Sequence, residues 1–120
     1  MNPDIRSRVE EIEQRYVNLT KDFMLLRATD ETLRLVLVLD DGSTLRITER
    51  WQKGSLFRYS YYWLNHGNQL IIGWDNAPHH HDLGGFPDHK HIASTGETIP
   101  STEKTLDDVV SFIEHTIKSE

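Results

Sequence analysis

Five histidines fall within residues 79–91 of a stretch that runs Trp-Asp-Asn-Ala-Pro-His-His-His-Asp-Leu-Gly-Gly-Phe-Pro-Asp-His-Lys-His-Ile from Trp74 to Ile92. Asp75, Asp82, Asp88 and Lys90 accompany them. Three chemistries are open to such a set. As metal ligands, His89 and His91 would point to one side of an extended segment, ~7 Å apart at ~3.3 Å per residue. A third ligand from His79–His81 or Asp75 would then complete a zinc or nickel site. The spacing selects no particular metal, and no helix-borne His-Glu-x-x-His pattern is present. As acid and base, two imidazoles flanking a phosphodiester would act on a ribose 2′-hydroxyl and on the leaving 5′-oxygen. A cation such as Lys90 or Arg50 would stabilise the charge that develops. Imidazole suits that work because its ordinary pKa of ~6.5 lies near neutrality. In the third case the histidines merely satisfy loop carbonyls and face water.

The metal-free acid–base chemistry is the leading expectation. A cation and two imidazoles within residues 89–91 would supply acid, base and charge stabilisation together. No cofactor is expected, and no metal; any zinc or nickel, adventitious or regulatory, would fall to His79, His80, His89 and His91. Gly84-Gly85 and Phe86-Pro87 can fold the loop back, which predicts that His79 or His80 lies near His89 or His91. His66, in a turn, and His115, in the last turn of a helix where His⁺ favours the dipole, read as structural.

The surrounding elements must position this loop. The 120 residues make one domain, 1–120, large enough for one core without staples. There are no cysteines, which excludes a disulfide scaffold, thiolate-bound zinc and a cysteine nucleophile. The longest apolar run, Leu35 to Leu39, is far short of the ~18 residues that span a bilayer. The first residues are polar and charged, unlike a secretory leader. A cytoplasmic protein without membrane contact is expected.

The net charge of −6 disfavours a simple electrostatic nucleic-acid binder. The charge is uneven, however: residues 1–43 carry −3, residues 93–120 carry −4, and residues 44–92 carry +1 with six of the seven histidines. Chemistry belongs to the middle.

Asn2 and Pro3 start a helix. Its stripe Ile5, Val9, Ile12, Tyr16 and Leu19 repeats at spacings of four and three. Strand character follows over Phe23–Thr29, Leu33–Leu39, Leu45–Trp51, Phe57–Trp63 and Leu70–Trp74. Turns are signalled by Asp41-Gly42, Lys53-Gly54-Ser55 and Asn65-His66-Gly67-Asn68. Residues 76–104, with three of the four prolines, read as irregular. Thr105 with Asp108 resembles a capping box opening a final helix with Leu106, Val109, Val110, Ile113 and Ile117 inward. The predicted fold is α+β: an antiparallel sheet of about five strands with the N-terminal and C-terminal helices on one face.

Trp51, Tyr59, Tyr61, Trp63 and Trp74 read first as core, although Tyr59 or Tyr61 could turn a hydroxyl towards the loop. Glu49 lies on the apolar side of its strand. It is either paired, with Arg50, Arg58 or a histidine, or tuned for proton transfer; pairing is the simpler reading.

Four segments carry a family resemblance. Leu45-Arg46-Ile47-Thr48-Glu49-Arg50-Trp51, Tyr59-Ser60-Tyr61-Tyr62-Trp63, Trp74-Asp75-Asn76-Ala77-Pro78-His79-His80 and Phe86-Pro87-Asp88-His89-Lys90-His91 resemble the TumE-like toxins of type II toxin–antitoxin pairs. The resemblance covers roughly residues 23–117. It implies a helix-turn-helix antitoxin as partner and a ribonuclease-like activity on RNA. Glu49, Tyr59, Tyr61, Asp75, Asn76, His79, His80, His89, Lys90 and His91 match the family's motif positions. Two positions depart from it: Tyr62 stands where a histidine is common, and Gly73 where an arginine often precedes Trp-Asp-Asn. The resulting expectation is a toxin acting on RNA as a metal-independent, histidine-based ribonuclease. His79, His80, His89, Lys90, His91, Glu49, Tyr61 and Asp75 are its candidate catalytic residues. Arg50, Arg58, Tyr59 and Asn76 are its candidate RNA contacts. A homodimer is compatible with this reading. The alternative is a non-catalytic regulatory module that binds metal or protein through the histidine loop.

Overall fold

A computed structural model describes residues 3–78 and 87–119. The chain forms α1 (Pro3–Arg15), a 3-10 turn (Val17–Leu19), β1 (Thr20–Ala28), β2 (Thr32–Leu39), β3 (Thr44–Gln52), β4 (Ser55–Leu64), β5 (Leu70–Asp75), β6 (His89–Ile92), β7 (Glu97–Pro100) and α2 (Leu106–Lys118). The seven strands lie side by side in chain order, every neighbour antiparallel. The predicted turns sit where Gly42, Lys53, Gly54 and Asn68 adopt positive φ, the conformation that tight hairpin connections require.

The sheet has seven strands rather than about five. The two extra strands come from 89–100, within the segment expected to be irregular. Neither shows an apolar alternation, because β6 reads His-Lys-His-Ile and β7 Glu-Thr-Ile-Pro. The hairpin turns at Gly96 (φ 73°), whose N–H donates to the Ile92 carbonyl at 2.8 Å. Pro100 ends β7 at the sheet edge, where a missing N–H disrupts no pairing.

Cross-strand partners share a face, so the register sorts every strand residue. Leu35, Ile47, Tyr61, Trp74, Lys90 and Ile99 form one row across β2 to β7. Leu37, Leu45, Trp63, Ile72 and Ile92 form the next on the same face. This face carries the core. Ile12 and Tyr16 of α1, and Leu106, Val109, Val110 and Ile113 of α2, pack with it into one cluster, so both helices cover the same side, as expected. Thr105 and Asp108 close a reciprocal capping box at the start of α2. Tyr16 and Arg15 both donate to Asp107, tying the end of α1 to the first turn of α2.

The opposite face carries Arg34, Thr48, Ser60, Asp75, His89 and Pro100 in one row. Val36, Arg46, Tyr62, Gly73, His91 and Thr98 form the neighbouring one. No helix lies on it among the described residues. No helix of the described residues is long and apolar enough to cross a membrane.

Candidate functional site

The alternation of β6 divides the expected constellation. His89 and His91 project from the open face, while Lys90 projects into the helix-covered one. There Lys90 Nζ donates to Glu103 Oε1 at 2.9 Å and lies 4.9 Å from the centre of the Phe112 ring. Glu103 also receives the Trp74 indole N–H and the Thr102 hydroxyl. Burial opposes its charge, but these donors outweigh burial and hold its carboxyl below the usual glutamate range. The expected cation beside the imidazoles is therefore a fastener between β6 and the segment leading to α2.

Glu49 is likewise on the helix-covered face and fully buried. Its partner is neither Arg50, Arg58 nor a histidine but Arg8, on α1, which donates from Nε at 2.9 Å and from its terminal nitrogen at 2.7 Å. The Trp51 indole N–H (3.0 Å) and the Tyr61 hydroxyl (2.6 Å) complete the shell. Burial and the Glu49 charge push the Tyr61 hydroxyl far up, so it stays a donor. Tyr59 stacks on Tyr61 with ring centres 4.8 Å apart and donates to Asp88 Oδ1 at 2.8 Å. Burial and that carboxylate push its hydroxyl up as well. Asn76 accepts from the Tyr59 N–H through Oδ1 and donates to the Phe57 carbonyl, extending the β4–β5 pairing by side chain. Glu49, Tyr61 and Lys90 thus hold the fold on the helix-covered side, Asn76 holds the β4–β5 pairing, and Tyr59 also lines the cavity of the open face.

What remains on the open face is a three-residue centre. Asp75, at the end of β5, pairs in register with His89, and His91 lies two residues further along the same side. Asp75 Oδ1 is 2.8 Å from His89 Nε2, and Asp75 Oδ2 is 3.3 Å from His91 Nε2. One carboxylate therefore faces both imidazoles, whose rings stand 5.1 Å apart at 84°. The other ring nitrogens are fixed from behind. His89 Nδ1 donates to the Pro87 carbonyl at 2.9 Å, and His91 Nδ1 is 2.8 Å from Thr98 Oγ1. A carbonyl only accepts, so Nδ1 of His89 carries a proton. Its Nε2 then meets the carboxylate favourably only across a second proton or another cation. Asp75 is itself fixed by the Ala77 N–H at 2.9 Å.

His89 is 1% exposed and Asp75 6%, whereas the His91 side chain keeps a third of its surface. Only His91 of the three can touch a large ligand. Beside it a shallow cavity of about 210 Å³ is lined by Thr48, Arg50, Arg58, Ser60, Tyr62 and Asp75, among others. The open face is strongly basic for an acidic chain. Arg27, Arg34, Arg46, Arg50 and Arg58 all lie on it by register, against the carboxylates Asp22 and Asp75 among the paired strand residues. Arg27, Arg34 and Arg46 were not singled out in the sequence; the strand alternation that buries Leu35 and Ile47 was the signal that could have found them. Tyr62, 40% exposed, lies on Gly73, its cross-strand partner. Tyr62 and Gly73, the two positions that the sequence resemblance marks as departures, are thus neighbours across β4 and β5. His79 and His80, and with them the expected approach to His89 or His91, lie outside the described residues.

The described chain is a meander sheet covered by helices on one side, with a basic open side around a carboxylate and two imidazoles. The chain belongs to the TumE toxin family: the family model described as Toxin TumE matches residues 6–117. Neither a curated protein nor a solved structure matches it.

Proposed function

We propose that this toxin acts on RNA laid against the open face of its sheet, with His91 as the imidazole that moves the proton. The observation that carries the reading is the placement of five arginines on the same face as Asp75, His89 and His91. Phosphate contacts supply most of the affinity for a nucleic acid, and this face concentrates them where the whole chain is acidic. Arg50 and Arg58 replace Lys90 as the cations beside the reacting phosphate. His91 takes the proton of a ribose 2′-hydroxyl as its oxygen attacks phosphorus. The protonated ring then returns the proton to the departing 5′-oxygen. Asp75 orients His91, and His89, too buried to meet RNA, fixes Asp75 from the other side. The exposed ring of Tyr62 offers a base a stacking surface, a contact worth ~1–3 kcal/mol.

A cytoplasmic antitoxin of the helix-turn-helix kind is the proposed partner, following from the family. The test is growth arrest on induction, with RNA integrity followed in a purified assay. His91→Ala is expected to lower cleavage ~10²–10⁴-fold with its melting temperature nearly kept. Arg58→Ala is expected to weaken RNA binding and flatten its salt dependence. Intact RNA with the wild-type protein under every condition, while growth still arrests, would remove the ribonuclease reading.

A further inference from the structure

We infer that Asp75, His89 and His91 form a binding site for a late first-row divalent cation, zinc foremost, and that the bound ion silences the toxin. The inference rests on the acid–base reading for its consequence but not for the site. Two features of the geometry carry it. First, the ligand atoms converge: Asp75 Oδ1 and Oδ2 stand 2.8 and 3.3 Å from the two Nε2 atoms, and the three groups offer atoms all within 4.8 Å of one another. Zinc bonds of ~2.0–2.2 Å at tetrahedral angles place neighbouring ligand atoms about 3.3 Å apart, so small side-chain rotations suffice. Second, both imidazoles present Nε2 inward because Nδ1 is engaged behind, by the Pro87 carbonyl and the Thr98 hydroxyl. Such outer partners fix the tautomer and aim the ring at a metal. Two imidazoles and one carboxylate suit zinc, and leave its remaining position towards the exposed side of His91.

An ion there takes the Nε2 lone pair with which His91 would accept a proton. Zinc occupancy and metal-free acid–base chemistry at His91 therefore exclude one another.

The experiment uses the full chain, prepared with chelator and dialysed, and titrates it with zinc alone by calorimetry. Cobalt(II) alone serves as a spectroscopic probe, since a four-coordinate site gives intense visible bands. One ion per chain is expected, with a raised melting temperature. Asp75→Asn and His91→Ala should weaken zinc more than about 100-fold. Thr98→Val, which removes only an outer partner, should weaken it ~10–100-fold. A His79→Ala, His80→Ala, His81→Ala variant should keep the site, and His115→Ala should change nothing. RNA cleavage by the metal-free protein should fall in parallel with occupancy. Zinc binding that survives Asp75→Asn and His91→Ala but vanishes in the triple variant would overturn the site. So would the absence of stoichiometric binding, which would leave the RNA reading standing. Tight binding at these residues with cleavage rising rather than falling would overturn the silencing. Stoichiometric zinc with RNA intact under all conditions would confirm the site, remove the ribonuclease reading and overturn the silencing.

Discussion

Two buried carboxylates, one on each face of the sheet, have opposite kinds of partner. Glu49 is surrounded by a guanidinium, an indole and a phenol, groups that keep their protons at any physiological pH. Asp75 faces two imidazole nitrogens, a side-chain type whose ordinary pKa lies near neutrality. The first carboxylate is a fixed anchor that ties α1 to β3 and β4. The second has partners of a type that can exchange a proton or share a metal with it. Residue type and burial alone do not separate them, because both carboxylates are buried. The protonation chemistry of the neighbours separates them, and so does the face of the sheet.

The sharpest break of this comparison is at Glu49. Glu49→Ala removes the acceptor from Arg8, Trp51 and Tyr61 together and leaves the part-buried guanidinium with only the half-exposed Glu11 as its ion-pair partner. A loss of about 3–5 kcal/mol is expected, visible as a large fall in the denaturation midpoint, with toxicity lost through unfolding. Asp75→Asn should do the reverse. The amide keeps an oxygen for the Ala77 N–H, so stability should change by about 1 kcal/mol or less, while growth arrest is lost in a protein that still melts cooperatively. Equal destabilisation by the two substitutions would show Asp75 to be a second anchor.

The fold was legible where one face is apolar. The stripe from Ile5 to Leu19, the hairpin turns and the Thr105 capping box each carry a local signal, and the described chain follows them, except that the α-helix ends at Arg15 and the stripe finishes in a 3-10 turn over Val17–Leu19. The β6–β7 hairpin carries none, because its outward residues meet the site and its inward ones include Lys90, so no alternation of apolar and polar appears. The same alternation explains why the site was only half legible. Adjacency in sequence put Lys90 between two histidines, but a strand sends neighbours to opposite faces. The partner of Glu49 lies 41 residues away on another element, beyond any local pattern.

Glu103 tests whether Lys90 belongs to the anchoring side. Glu103→Gln should cost about 1–2 kcal/mol near neutral pH, the range of a charge-assisted hydrogen bond, and leave RNA cleavage unchanged. Because the folded carboxyl lies below the ordinary glutamate range, its contribution is complete above that range. It is lost as pH falls through the lower, folded value. The gap between wild type and Glu103→Gln in a series of melts should therefore close on acidification and stay open above the usual glutamate range. A gap that widened in acid would contradict the assignment.

The smallest expected effect concerns the two positions that depart from the family pattern. A Cβ built on Gly73 would meet Tyr62 Cδ1 at 2.7 Å and Cε1 at 2.8 Å, closer than carbon atoms approach. Gly73 does not need a positive φ, so the obstacle is the Tyr62 ring and not the backbone. Gly73→Ala alone should therefore cost about 1 kcal/mol, at the low end of overpacking, because a half-exposed ring can swing aside. After Tyr62→Ser the same change should become neutral or stabilising by about 0.5 kcal/mol, since alanine suits a strand better than glycine does. A double-mutant cycle by chemical denaturation measures this coupling. Additivity would mean that the ring relaxes freely and that the two departures are independent. Coupling would mean that the Tyr62 ring and the Gly73 backbone constrain one another. Gly73→Arg with the Tyr62 ring kept would then have to push that ring off Gly73, whose cross-strand partner on β6 is His91.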